Sequence, residues 1–276
     1  MQNNNQDKAG QDYWNETWDI SALPKPWDIE SGDLAKYTER SFFNYLKSTF
    51  EENHLLNTKA QLVEVGCARS QVLPVMASKL GFQISGIDYS PNGCEQTRQM
   101  LDLEGIDNDI HCCDIFSIPD ELIGKYDVVI SFGLIEHFSE TSGVVTALAG
   151  LLKPGGLIFT NVPNMNGVTG FAQKWFNRPI YDIHVALNAE DVKRAHEAAS
   201  LEVLTCDYFL PNNFGVVNLG PNKKGSILWW GKKISLAILA RISMVVWWLE
   251  IKFKKLPVSH SFSPYINCVA QKNDNG

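Results

Sequence analysis

Short apolar runs alternate along this chain with longer stretches whose apolar positions recur at helical spacing. AQLVEVG reads as a strand, QVLPVMASKLG as a helix, QISGIDYS as a strand and PNGCEQTRQMLDLEG as a helix. DIHCCDIF and YDVVISF are further strands, SGVVTALAGLLKPGG a helix and LIFTNVPN a strand. Gly81, Gly105 and the KPGG at 153–156 stand where these helices should stop. NAEDVKRAHEAAS then reads as a capped helix, LEVLTCDYFL as a strand and PYINCVAQK as the last strand. This alternation predicts a doubly wound α/β fold.

Two segments fall outside it. Residues 1–12 are polar and expected as a disordered tail, and 13–58 are rich in aromatics, with an amphipathic helix from Asp33 to Phe50. We expect 13–58 to form a helical lid over an acceptor pocket, with Tyr13, Trp14 and Trp18 as lid residues; plain core packing is the alternative. Residues 59–210 hold the α/β core, 211–260 a helical insertion that is apolar and basic, and 261–276 the final strand and tail.

The chain has 276 residues, 45% hydrophobic and 20% charged, enough for one large α/β domain with an appendage. A net charge of −7 argues against nucleic-acid binding. That charge is uneven. Residues 223–255 carry Lys223, Lys224, Lys232, Lys233, Arg241, Lys252, Lys254 and Lys255 against Glu250 alone, a local +7 that leaves −14 for the remainder. The six cysteines form no CxxC pair and no zinc-type spacing, and are expected as reduced thiols in a cytoplasmic protein. MQNNNQDKAGQDYW lacks the basic start and apolar run of a secretory signal.

LVEVGCARS, residues 62–70, joins an apolar run to a carboxylate and a small-residue turn, the form of a strand–turn–helix that receives a nucleotide-like ligand. A dinucleotide site wants GxGxxG so that a pyrophosphate can approach the backbone. Ala68 and Gln71 occupy the second and third glycine positions, which crowds a pyrophosphate but suits a nucleoside without phosphates. A strand–turn–helix with no ligand would read the same way. Asp88 closes the next strand 22 residues after Gly66, where a carboxylate accepts hydrogen bonds from both ribose hydroxyls. Capping of the helix near Pro91 is its alternative role. In CCDIF, 112–116, Asp114 suits an adenine amino group with Ile115 against the ring, or a plain turn. YDVVISFGLIEHF, 126–138, leaves the sheet at Ser131-Phe132-Gly133 and ends on Glu136-His137-Phe138.

The ordered set Glu64–Gly66, Asp88, Asp114, Tyr126–Phe138 and Leu-Lys-Pro-Gly-Gly resembles the class I S-adenosylmethionine-dependent methyltransferases, above all the group with an LEHF/V signature after the fourth strand. The resemblance covers about residues 55–210 and the final strand. It implies a Rossmann-like seven-stranded sheet with an antiparallel last strand, and S-adenosyl-L-methionine as cofactor. It further implies that Glu64, Gly66 and Ala68 lie by the methionine part, Asp88 and Tyr89 by the ribose, Asp114 and Ile115 by the adenine, and Phe132 and Gly133 along the sulfonium. The family commonly has GxG where this chain has Gly66-Cys67-Ala68.

Methyl transfer from a sulfonium is an in-line displacement in which the protein mainly positions the acceptor and excludes water. A hydroxyl acceptor needs a base, and His137 and His184 stand on loops that open on the same rim; Glu136 is grouped with them. His137 bracing its loop is the plainer reading. Glu136, His137 and His184 also resemble part of the metal site of RNA-end and ubiquinone-pathway O-methyltransferases. Gly133 stands where those sites have a further glutamate, and no metal is expected.

Trp229-Trp230 and Trp247-Trp248, 18 residues apart and flanked by lysines, are separated by about 27 Å on a helix and resemble an interfacial belt. Arg241 in mid-span argues against crossing a bilayer and for an in-plane helix on anionic lipid; a pocket lid or dimer seam is the alternative. The expected activity is therefore methyl transfer, mainly to oxygen, on a small amphipathic or lipid-linked acceptor such as a glycolipid, polyprenyl-linked sugar or quinone. The protein would be cytoplasmic and peripheral on the membrane. A soluble natural-product or sugar methyltransferase is the second reading, and a non-catalytic S-adenosylmethionine-binding scaffold the reading from another class.

Overall fold

The computed structural model describes residues 7–18, 22–56, 58–220 and 225–273. Among the described residues there are seven strands: β1 Gln61–Val65, β2 Gln83–Asp88, β3 Ile110–Cys112, β4 Tyr126–Phe132, β5 Leu152–Pro163, β6 Leu201–Phe209 and β7 Tyr265–Lys272. They form one sheet in the order β3-β2-β1-β4-β5-β7-β6. β1 to β5 pair in parallel, whereas β7 runs antiparallel to both β5 and β6. The expected seven-stranded sheet with a reversed last strand is thus present. Its strand order turns back between β1 and β4, the place where open α/β sheets form their ligand crevice.

The helices are α1 Gln11–Thr17, α2 Tyr37–Glu52, α3 Leu73–Leu80, α4 Pro91–Leu103, α5 Thr141–Leu151, α6 Val168–Phe176, α7 Arg178–Asp182, α8 Ala189–Ala198 and α9 Ile227–Lys252. Local chemistry sets their ends. Ser90 caps α4 by accepting from the Gly93 N–H, with Pro91 preset for the first turn. Asn188 and Asp191 form a capping box on α8, and Gly81 closes α3 in the left-handed region.

Successive strand residues feed opposite faces. Val63, Val65, Val129 and Ile158 pack with α5 and α8, while Leu62, Val128, Ile130 and Phe159 pack with α2, α3 and α4. Phe42, Leu46 and Phe50, four apart on α2, are almost fully buried on that second face. The region expected as one lid therefore divides: α2 is a core layer, and α1 stands apart on the rim. Of the expected disordered tail, residues 1–6 lie outside the described residues. Asp7 onward is packed, with an antiparallel bridge from Asp7 to Phe138 and the Lys8 N–H on the His137 carbonyl at 2.9 Å.

The insertion folds as one 26-residue helix, α9. One side is fixed to the body. Lys232 Nζ donates to the carbonyls of Trp175 and Phe176 at the end of α6, Ser243 Oγ accepts from Phe214 N–H, and Trp247 Nε1 donates to Asn212 O at 3.0 Å. Tyr37 stacks on Trp247 and donates to Glu250. By length and composition α9 could cross a membrane, yet only 11% of its most apolar stretch is buried, unlike a core helix.

Candidate functional site

A cavity of about 640 Å³ opens at the carboxyl ends of β1 to β4. Gly66 leaves β1 at φ +81°, a conformation that favours glycine, and its N–H bonds Ile87 O at 2.8 Å. Ala68 follows, its N–H donating to Asp88 Oδ2 at 3.0 Å. A Cβ on Gly93 would come within 2.4 Å of the Ala68 Cβ, so α4 sits against this loop only because residue 93 has no side chain. Ser70, where the glycine pattern breaks down, donates its hydroxyl to the buried Glu64 carboxylate and accepts the N–H groups of Val72 and Leu73. The loop is thereby held rigid without a third glycine.

Asp88 accepts from Ala68 N–H through one oxygen and from Ser90 N–H through the other, at 3.0 and 2.8 Å. The Tyr89 N–H also favours the charged carboxylate. Since Ser90 caps α4, capping is not the task of Asp88. Burial pushes its carboxyl up to about 6 despite the backbone donors, and burial lifts Glu64 to about 8, opposed by the Ser70 hydroxyl. Asp114 accepts from Phe116 N–H at 2.9 Å in a turn just past β3, and Ile115 is buried beside it. Phe132 meets Trp27 and Phe42 edge to face, and Gly133 turns out of β4 at φ +63°.

Glu64, Gly66, Ala68, Asp88, Tyr89, Asp114, Ile115, Phe132, Gly133 and His137 all line this one cavity. Trp14 and Trp18 line it as well, stacked on each other at 5.8 Å; Tyr13 does not, and meets only the edge of Trp14. Asp7, Gln11 and Trp27 also line it and were not singled out in the sequence. Asp7 accepts from the Trp14 indole N–H and the Tyr89 hydroxyl, tying the N-terminal strap to the residue after Asp88. Burial and the Asp7 carboxylate push the Tyr89 phenol well above its usual value, so it remains a donor.

Glu136, His137 and His184 come together, but only His137 borders the cavity. The two imidazoles lie 4.5 Å apart, and Trp14 meets His137 edge to face at 4.9 Å. Val185 N–H on Glu136 O holds the His184 loop in place. His137 Nδ1 faces Ile183 O at 3.2 Å and His184 Nδ1 faces Ile180 O at 2.6 Å. A carbonyl only accepts, so each Nδ1 carries the proton and each Nε2 presents a lone pair. Burial, then the neighbouring His184, lowers His137 to about 4, and burial lowers His184 as well. Glu136 is 1% exposed, with neither carboxylate oxygen partnered, and burial pushes it up to about 8. One ligand atom from each of the three lies within 4.8 Å of the others. The sequence led us to expect no metal, but this donor set, with an orphaned carboxylate and two free imidazole lone pairs, fits a divalent cation.

Sheet order, reversed last strand and crevice are those of the class I S-adenosylmethionine-dependent methyltransferase fold. The sequence model of a family described as a methyltransferase domain matches residues 34–205, and the chain belongs to that family. A ubiquinone biosynthesis O-methyltransferase of Idiomarina loihiensis is 30% identical over 150 residues, spanning 53% of this chain and 59% of the relative, less than two thirds of its length. One from Methylocella silvestris is 23% identical over 205 residues, 71% of this chain and 78% of the relative. Among solved structures, geranyl diphosphate C-methyltransferase of Streptomyces coelicolor A3(2), in complex with Mg2+, geranyl diphosphate and S-adenosyl-L-homocysteine, superposes with a TM-score of 0.60 at 14% identity, covering 95% of this chain and 97% of that one.

Proposed function

We propose that this chain transfers the methyl group of S-adenosyl-L-methionine to a hydroxyl oxygen of a small amphipathic acceptor, of quinone type or lipid-linked. The observation that carries the reading is Asp88, a buried carboxylate that lines the crevice and is anchored by backbone N–H groups on one side only. A ribose diol supplies the two donors that complete it. Asp114 and Ile115 then suit the adenine, Gly66 and Ala68 the methionine part, and Phe132 and Gly133 the sulfonium. The ubiquinone-pathway relatives support oxygen and a quinone-type ring as the acceptor chemistry.

In the reaction the acceptor oxygen attacks the methyl carbon, the carbon–sulfur bond breaks, and S-adenosylhomocysteine leaves neutral at sulfur. His137, which lines the cavity and keeps its Nε2 lone pair, takes the hydroxyl proton, and His184 holds the His137 ring at 4.5 Å. Trp14, Trp18 and Trp27 exclude water from the acceptor side. Were a divalent cation held by Glu136, His137 and His184, the His137 Nε2 lone pair would be its ligand, and the cation would take over from the imidazole by lowering the pKa of the acceptor hydroxyl. We also propose a cytoplasmic, peripheral protein with the 226–255 segment on anionic lipid, supported by the exposed Trp230 and Trp248 and the adjoining lysines.

The test is incubation with methyl-labelled S-adenosylmethionine and a set of prenylated phenols, beside sugars and soluble phenols, with mass detection of the methyl ether. Methylation confined to prenylated phenols is expected. Labelling of sugars alone would replace the acceptor, and S-adenosylhomocysteine binding without transfer to any extract fraction would favour a non-catalytic scaffold.

A further inference from the structure

We propose that α6 and α9 together form a single face that seats on an anionic bilayer, with α9 lying in the membrane plane; this rests on the membrane reading of 226–255 above. Positions 232, 236, 239, 243, 247 and 250 of α9 form one helical stripe, and it is turned to the protein. Lys232 binds the end of α6, Leu236 and Leu239 pack with Ala172, Phe176 and Val217, and Ser243, Trp247 and Glu250 are bonded to the body. Trp230, Ile234, Ile238, Arg241, Val245 and Trp248 follow the same helical spacing on the outer side, and all are exposed. The inner side of α9 is attached from Lys232 to Glu250, which leaves its outer side as the surface offered to a bilayer.

The sequence did not mark α6. Its Ala172 and Phe176 face α9, whereas Val168, Phe171 and Trp175 form a second exposed apolar stripe, at 36%, 74% and 59% exposure. Lys232, on the inner side of α9, sits 5.6 Å from the Trp175 ring, so the exposed stripe of α6 flanks the start of α9. Phe262, 59% exposed, extends the surface at the start of α6, where Val168 N–H bonds Ser261 O. The exposed apolar sides of α9 and α6 are accompanied by the exposed Lys233 and Lys252, a charge pattern that complements anionic headgroups and contrasts with the acidic remainder of the chain.

Arg241 decides between a bilayer and a second copy. It is the only charged residue from Ile234 to Leu249 and sits within two residues of the centre of α9. A two-fold seam along this stripe, parallel or antiparallel, would bring two guanidinium groups together in apolar surroundings with no acid to pair them. Against a bilayer the same side chain lies at headgroup depth and meets a phosphate in fork geometry. α6 also continues through α7 into His184, so the seated surface adjoins the loop that holds the candidate catalytic pair.

The full-length chain should be floated with vesicles of phosphatidylcholine alone or mixed with phosphatidylglycerol. Binding is expected only with phosphatidylglycerol. A Phe171→Ser/Trp175→Ser variant should lose about tenfold in partitioning or more. Arg241→Gln should lose several-fold, and Leu103→Ser, exposed on α4, should bind unchanged. Circular dichroism and S-adenosylhomocysteine binding check that each variant is folded. Amide exchange over 168–184 should slow on vesicles while that over 91–103 does not. If the α6 variant binds like the parent, α6 is not part of the face, and contact through α9 alone survives. A parent that ignores both vesicles overturns both ideas, and a dimer lost in Ile234→Ser/Ile238→Ser would assign the stripe to a second copy.

Discussion

The rings of His137 and His184 lie 4.5 Å apart, and each has its Nδ1 proton committed to a backbone carbonyl. The pair is therefore preset with both Nε2 lone pairs available, but only His137 reaches the cavity wall. Replacing His137 with Ala should lower kcat by about 10²–10⁴-fold, the usual contribution of a positioned base. His184→Ala should cost about tenfold, because it acts by holding its neighbour. Both variants should keep parental affinity for S-adenosylhomocysteine by calorimetry. Full single-turnover rates in both would remove the imidazoles from proton transfer.

Asp88 leads to a pH prediction. Its carboxyl is lifted to about 6 by burial, and the charged form is the one that accepts two ribose hydroxyls. As pH falls through 6, a proton occupies one of the carboxylate oxygens, so S-adenosylhomocysteine affinity should be full at pH 8 and decline below 6. Asp88→Ala should weaken binding by about tenfold or more at pH 8, on the order of 1.4 kcal/mol, and Asp88→Asn should flatten the profile between pH 5 and 8. A parental profile that is already flat, or unchanged affinity in Asp88→Ala, would reject the ribose role.

Asp88 was legible because a parallel βαβ unit forces the end of β2 next to the end of β1, whatever the intervening helix contains. Gly66, Asp114 and Gly133 were legible for the same topological reason. Asp7 and Trp27 were not. They reach the cavity through irregular backbone, Trp27 by its N–H on Gln71 O and Asp7 by its bridge to Phe138, and neither contact has a periodicity that a sequence displays. The membership of Glu136 in the histidine cluster was visible as a neighbouring letter, but its two unpartnered oxygens became visible only with the burial of the 3-10 turn Ile135–His137. The inward and outward stripes of α9 were hidden because the run from Ile234 to Leu249 is almost continuously apolar, which erases the contrast that marks a buried face.

The strap predicts a gate. Asp7 accepts from Trp14 and from Tyr89, and all three line the cavity, so these two hydrogen bonds tie the N-terminal segment to the cavity wall. A hydrogen bond to a charged acceptor contributes about 1.5–3 kcal/mol, and less where it is only part-buried, as both of these are. Asp7→Ala should therefore speed S-adenosylhomocysteine dissociation by about tenfold in stopped-flow fluorescence, and Tyr89→Phe by less. Neither should change the thermal midpoint much, since α1 buries no residue fully. An unchanged off-rate would make the strap a static wall.

Glu136 carries the last prediction. A carboxyl that is 1% exposed with no partner on either oxygen is costly unless it is protonated or bound to a cation, and two imidazole lone pairs stand within reach. If the cluster binds a divalent ion, chelator-treated protein should gain several degrees in melting temperature when zinc, manganese or magnesium is restored, by simple linkage. Glu136→Gln should abolish that gain while leaving S-adenosylhomocysteine binding intact, because Glu136 does not itself line the cavity and the amide keeps the shape of the carboxyl beside Gly133. His184→Ala should reduce it, since one of three donors is removed. A melting curve indifferent to all three ions would leave Glu136 as a neutral acid behind His137. In that case Glu136→Gln should keep parental activity, because a protonated carboxyl and an amide differ little in shape.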